Sequence, residues 1–230
     1  MGAWGLGRKR SPTAKSYVQN GLIAMWDGIE NAGWGTHDQA ATTWKDLVGD
    51  NDITLTMGGG SWGSNALFVA RTPKTTGEFR KNETTYKQIE VIGVELTQTM
   101  SYDRHILICF DSNHAFVIGQ NRIGFCVANN VVGIDPTYPG SNNRANIPFA
   151  VSISYTDEDV PNPNGMYLNN VKKNQSGQSV GLSSLNNRFN NYSNYQADAN
   201  IYCIRLYSRA LTAEEIAANY AIDKKRFNLP

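Results

Sequence analysis

Several things are scarce in this sequence, and each scarcity removes a class of protein. No apolar run is long enough to cross a bilayer as a helix. Stretches with helical periodicity are almost absent, so the crossover helices of a parallel α/β sheet are missing. Neither sign of charge dominates: 21 Lys and Arg stand against 20 Asp and Glu, a net +1. That balance gives no field over the whole molecule for nucleic acid or a membrane surface. Cysteines number three. Cys109, Cys126 and Cys203 each sit inside an apolar run ("ILICF", "IGFCVA", "IYCIRLY"). An odd count in such settings reads as buried free thiols, with one Cys109–Cys126 bridge as the alternative. No pair has zinc-ligand spacing.

What is present is a long series of short alternating runs broken by Gly, Asn and Pro. "NGLIAMWDG" places Leu22, Ala24 and Trp26 on one face and Ile23 and Met25 on the other, a strand covered on both sides. "DITLTM", "SNALFVA", "YKQIEVIGVELTQ", "HILICFD", "HAFVIG", "RIGFCVA", "NIPFAVSISYTD" and "GMYLNNVKKN" continue the series, and "NIYCIRLYS" ends it. About ten short strands with turn signals between them predict an all-β sandwich or barrel. The Asn-rich "LNNRFNNYSNYQADAN" reads as a long surface loop.

The two ends differ from the middle. Residues 1–18 form an aperiodic arm with Arg8, Lys9, Arg10 and Lys15 and no acid, leaving 17 basic against 20 acidic residues elsewhere. Its positive charges follow its few apolar residues, the wrong order for a secretory signal, so a chain starting at this Met is expected to be released in the cytoplasm. At the other end, Thr212 and Glu215 form a capping box, with Leu211 and Ile216 as a hydrophobic staple. Ile216 and Tyr220 share one face, and Lys224-Lys225-Arg226 suits the negative end of the helix dipole. A helix is expected over about residues 213–223, closing the sandwich.

"IRLYSRALTAEEIAANYAID" resembles the C-terminal signature of laminin-G-like domains in the concanavalin A-like lectin/glucanase superfamily. "GLIAMWDG" and "TTWKDLVGDNDITL" are similar to that family's first strand and its "W-x-D-x-x-G" segment. "GMYLNNVKK" stands where the family has a "Y-x-N-G" hairpin, with Asn170 in place of Gly. The resemblance covers about residues 19–227. It implies a two-sheet antiparallel jelly roll over residues 19–230, with one short C-terminal helix and the arm outside it. It also implies that Trp26, Trp44 and Arg205 to Leu211 are scaffold.

Candidate chemistry is sparse. Superfamily glucanases carry carboxylates as an alternating "E-x-D-x-x-E" set, close enough for retaining hydrolysis. Here "QIEVIGVELTQ" has Glu90 and Glu95 at odd separation, on opposite faces of a regular strand, with no Asp between. The chain is therefore expected not to be an enzyme. His105, Asp111 and His114 flank "DSN", an ordinary hairpin turn. "MGGGSWG" lacks the Lys and helix of a phosphate loop. No cofactor is expected; the one loop with hard oxygen donors for calcium is Asp50, Asn51 and Asp52.

Sugar binding needs an aromatic platform with planar polar groups at a loop rim. Trp34 and His37, Tyr138 with Asn142 and Arg144, and Tyr192 with Tyr195 fit that description, as they fit a protein contact. The leading expectation is a non-catalytic structural or adhesion protein of a tailed-phage virion (decoration, fibre or tail component), assembled in the host cytoplasm as a homo-oligomer. Its partners would be other virion proteins or copies of itself, and a host-surface polysaccharide, with no nucleic acid or membrane. The arm would dock on a neighbour through Trp4 and Leu6, with Arg8, Lys9 and Arg10 meeting acidic groups. The alternative is a carbohydrate-binding module of a bacterial surface protein or polysaccharide-active enzyme.

Overall fold

The computed structural model describes residues 12–79, 86–96, 105–109, 114–119, 122–127, 130–132, 146–154, 165–173, 188–189 and 198–229. A 3-10 turn at Ala14–Ser16 comes first. The strands follow as β1 (Leu22–Asp27), β2 (Thr43–Trp44), β3 (Ile53–Thr56), β4 (Ser61–Trp62), β5 (Leu67–Val69) and β6 (Thr76–Phe79). Then come β7 (Gln88–Glu95), β8 (His105–Cys109), β9 (His114–Gly119), β10 (Arg122–Val127) and β11 (Asn130–Val132). β12 (Pro148–Ser154), β13 (Met166–Leu168), β14 (Val171–Lys173), β15 (Arg188–Phe189) and β16 (Ala199–Tyr207) lead into α1 (Ala213–Phe227). Two-residue pieces such as β2, β4 and β15 carry no alternation of their own, which is why the sequence suggests fewer strands.

Two antiparallel sheets form, an all-β sandwich as expected. One runs β14-β13-β12-β7-β16-β5-β4, with β1 paired to the second half of β16. The other runs β11-β10-β9-β8-β15-β6-β3-β2. Between them lies a core of Trp26, Trp44, Ile53, Leu67, Ile89, Val91, Ile201 and Ile204, among others. The Trp44 and Trp62 rings meet edge to face at 5.3 Å, a favoured arrangement for aromatic quadrupoles.

A second core covers the far face of the first sheet. There Met25, Ile92, Cys203 and Tyr207 pack against Leu211, Ile216 and Phe227 from the helix region and against Ala14 and Tyr17 from the arm. The first sheet is thus buried on both faces, as its apolar strands predict. A bulge between Leu22 and Ala24 corrects the expected facing of β1. An extra residue inverts the alternation, so Leu22 joins Met25 on the helix side while Ile23 packs with Ala24 and Trp26.

The β13–β14 hairpin turns through Asn169 and Asn170 at φ 49° and 63°. Two positive φ values make the tight hairpin turn whose twist matches the strands, and Asn tolerates that region. Asn170 can therefore stand where Gly is usual. The Asn169 side chain also accepts the Ala150 N–H.

Helix α1 starts as expected. The Thr212 hydroxyl accepts the Glu215 N–H, and the Glu215 carboxylate accepts the Thr212 N–H. The helix runs one turn beyond the expected end, to Phe227, and closes on Asn228 in the left-handed region. Tertiary contacts sustain that turn: Phe227 stacks on Tyr202 at 5.3 Å. Arg226, expected only to face the helix dipole, is ion-paired to Asp27 and Glu30.

The arm divides. From Pro12 onward it belongs to the fold, with Ala14 and Tyr17 among the most buried residues of the second core. The arm anchors Trp4, Leu6, Arg8, Lys9 and Arg10 lie outside the described residues.

Candidate functional site

Two polar regions stand out, and they have opposite characters. The first lies beneath α1. The helix buries Ile216, Asn219, Asp223 and Phe227 as one stripe. Half of that stripe is polar, and the sheet answers it. The Arg205 guanidinium donates to both oxygens of Asp223, at 2.8 and 2.7 Å, and its Nε donates to Glu90 at 2.8 Å. Asn219 donates to Glu90 and to the Tyr207 hydroxyl, and its own oxygen accepts the Val18 N–H. Tyr17 donates to Asp223 at 2.7 Å and lies under Arg205, whose guanidinium carbon is 4.0 Å from the ring centroid.

Burial opposes the charge on Arg205, but the Asp223 and Glu90 carboxylates outweigh it and hold the guanidinium ionised. Burial also pushes the Glu90 carboxyl above its usual range, against the pull of Arg205. A small cleft beside the helix is lined by Glu90, Arg205, Asp223, Asn170, Tyr167 and Tyr220. Its charged floor is already committed to ion pairs that tie helix to sheet, with the arm joined through the Tyr17 hydrogen bond. Of the scaffold positions that the resemblance implied, Trp26, Trp44, Arg205, Leu206, Tyr207 and Leu211 are buried, while Ser208 is exposed and Arg209 and Ala210 are half-buried.

In the loop expected to offer calcium donors, Asp52 and the Asn51 carbonyl are committed to the fold, and the Asn51 Oδ1 is buried without a partner among the described residues. Asp46, which the sequence reading passed over, collects the N–H groups of Met25, Val48 and Asn51. Asp52 accepts the Asp46 N–H and pairs with Lys45. The Asn51 carbonyl accepts the Trp26 indole N–H. Among the described residues, no group of three or more His, Cys, Asp or Glu is placed to hold a metal ion.

The second region is the segment between β1 and β2. Because β1 and β2 belong to different sheets, this segment crosses the rim of the sandwich. The loop is tied internally at many points. Asn31 donates its amide to the Asp38 carbonyl and accepts the Asp38 N–H, both at 2.8 Å. Asp27 accepts the N–H groups of Ile29 and Glu30. Gly33 and Gly35, at φ 123° and 69°, provide the positive φ values that fold the chain back on either side of Trp34. The result is an indole held outward, 39% exposed, on a loop whose backbone is fixed.

Glu30 is the central tie. One oxygen accepts the Ala14 N–H at 3.0 Å, the other the Gly35 N–H at 2.9 Å, and Arg226 pairs with the first at 3.1 Å. Burial alone would raise its pKa, but those two N–H bonds and Arg226 outweigh it and hold the carboxyl below the usual range. A single carboxylate therefore joins arm, rim loop and helix. The residues next to its two backbone partners, Lys15 and Trp34, meet as a consequence, with the ammonium 5.0 Å from the indole centroid.

Of the sequence candidates, Trp34 and His37 fall on this loop. His37 Nδ1 lies 3.1 Å from the Gly28 carbonyl, which can only accept, so that nitrogen carries the proton. Tyr138, Asn142, Arg144, Tyr192 and Tyr195 lie outside the described residues, as do Asp111 and the side chains of Glu95, His105 and His114. Cys203 is a buried free thiol, as its apolar run suggests, and burial pushes its pKa well up. Glu30, Arg226 and the role of Lys15 were missed. Their partners are remote in sequence, and no local pattern announces them.

No protein-family model matches the chain, and no curated protein does. Among solved structures it is similar to Trypanosoma rangeli sialidase in complex with sialic acid, at TM-score 0.55 and 12% identity over 89% of this chain and 33% of the sialidase. A second Trypanosoma rangeli sialidase structure gives a TM-score of 0.58 at 13% identity, over the same shares. The botulinum neurotoxin serotype D ligand binding domain, in complex with N-acetylneuraminic acid, gives 0.55 at 14% identity over 89% of this chain and 51% of that one. The chain spans about a third of the sialidase and half of the toxin domain. At these identities the likeness is one of fold, the β-sandwich. It does not distinguish the laminin-G-like branch from other sandwiches.

Proposed function

We propose that this chain is a non-catalytic, lectin-like adhesion module, of the laminin-G-like type, that binds glycan at the rim loop. The observation that carries the reading is Trp34, an exposed indole on a loop fixed by side-chain and backbone bonds. A flat aromatic face held in place costs little ordering on contact with a sugar's C–H face. His37 stands three residues on; its Nδ1 is committed to the Gly28 carbonyl and its Nε2 is buried, so it braces the loop beneath Trp34. No turnover is part of the proposal, since Glu90 is held by Arg205 and Asn219 beneath the helix.

The proposed setting is the tailed-phage particle, with residues 1–11 meeting a neighbouring subunit. The second reading, a module of a bacterial surface protein or polysaccharide-active enzyme, is favoured by one observation. The sugar-bound sandwiches it is similar to belong to chains of which it spans only a part.

A glycan array probed with the wild type and with Trp34→Ala tests the activity. Binding that depends on Trp34 supports the reading, and absence of any bound glycan overturns it. Size-exclusion chromatography of a chain lacking residues 1–11 tests the setting. Loss of assembly with the sandwich intact supports the particle, and unchanged behaviour removes it.

A further inference from the structure

Beside the rim loop, the 3-10 turn of the arm presents a charge that has no ion pair among the described residues. Lys15 is exposed, and among the described residues no carboxylate lies within ion-pair distance of its ammonium. Several other cations among the described residues differ in this respect. Arg226 sits between Asp27 and Glu30, Lys45 pairs with Asp52, and Arg209 pairs with Glu215. The nearest acid by connectivity, Glu30, is committed to Ala14, Gly35 and Arg226. Among the described residues, the Lys15 ammonium meets the face of Trp34 alone.

We propose that Lys15 and Trp34 together form an anionic-saccharide subsite. The indole takes the C–H face of the ring, and the Lys15 ammonium takes the sugar's carboxylate. This deepens the glycan-binding reading and rests on it.

The chemistry follows from the geometry. An ammonium over an indole is weakly held at an exposed site. A carboxylate offers the same cation a charge-assisted hydrogen bond, which is stronger. The ammonium can swing from the ring face towards its edge to meet that carboxylate, because four methylenes separate it from a fixed backbone. That backbone is fixed on both sides: Ala14 is fully buried, and Glu30 ties Ala14 and Gly35 to one carboxylate. The spacing of the two backbones that carry cation and platform is therefore set before any ligand arrives, with Glu30 as a positioning residue. A neutral sugar could use the platform but would leave the cation idle.

The test uses the full chain on an array carrying matched pairs, such as sialyllactose with lactose and oligogalacturonate with its methyl ester. The acidic member of a pair should bind at least about tenfold more tightly, the usual worth of one charge-assisted hydrogen bond. Lys15→Gln should abolish that preference, Lys15→Arg should keep it, and added salt should weaken it. Trp34→Ala should weaken both members. Equal binding of the two members, or a preference that survives Lys15→Gln, overturns the subsite while the glycan reading stands. No binding to either class overturns the reading and the subsite with it.

Discussion

Arg205 beneath α1 and Arg226 on its last turn each sit between two carboxylates; at the rim, Lys15 sits against an indole. Arg205 and Arg226 both touch the arm that carries Lys15, at Tyr17 and, for Arg226, also at the Pro12 carbonyl. The difference lies in what burial demands. A guanidinium out of water must be paired and hydrogen-bonded, so Arg205 and Arg226 are parts of the frame. An exposed ammonium needs no partner, so Lys15 can stand outside the frame, and that is what the proposed subsite draws on. The buried charges of this network are structural, and the exposed charge beside it is not tied into the frame.

Breaking the frame should give the largest effect. Arg205→Ala leaves Glu90 and Asp223 buried without their cation, which should cost on the order of 3–5 kcal/mol. Equilibrium denaturation measures it, and a cost near zero would mean the network is not formed. Tyr17→Phe removes one hydrogen bond to a buried carboxylate while Arg205 still holds Asp223. A loss of about 2 kcal/mol is expected, read from the same denaturation midpoint.

Thr212→Ala removes one N-cap bond and should cost about 1 kcal/mol with unchanged m. This element was legible from the start, because its cause is local: hydroxyl and carboxylate are three residues apart. The apolar faces of β7 and β16 were legible for the same reason, since alternation is written along the strand. The buried polar stripe of α1 was not. Asn219 and Asp223 look like solvent-facing residues until Glu90 and Arg205 are brought beneath them from two other strands. The facing of Leu22 was misread because a bulge leaves no mark on an otherwise regular run. Trp34 was legible as an exposed aromatic between two glycines. Its companion Lys15 was not, because a single carboxylate in a different segment sets their meeting.

A smaller, pH-dependent effect distinguishes the tie from the frame. The Glu30 carboxyl is held below its usual range in the fold, so its contribution is present above the unfolded-state value. It is lost as pH falls through the lowered folded-state value. The stability difference between wild type and Glu30→Gln should therefore be full near neutrality and shrink in acid. Denaturation at a series of pH values reads it directly, and a difference that stays constant would mean Glu30 does not bridge arm and loop.

The central claim is that function sits at the rim loop and that the carboxylates under the helix are scaffold. Glycan binding by wild type, Trp34→Ala and Glu90→Gln, measured well below their melting temperatures, tests it most directly. The account predicts that Trp34→Ala loses binding while Glu90→Gln is less stable and binds as the wild type does. Binding that survives Trp34→Ala and disappears with Glu90→Gln would contradict it.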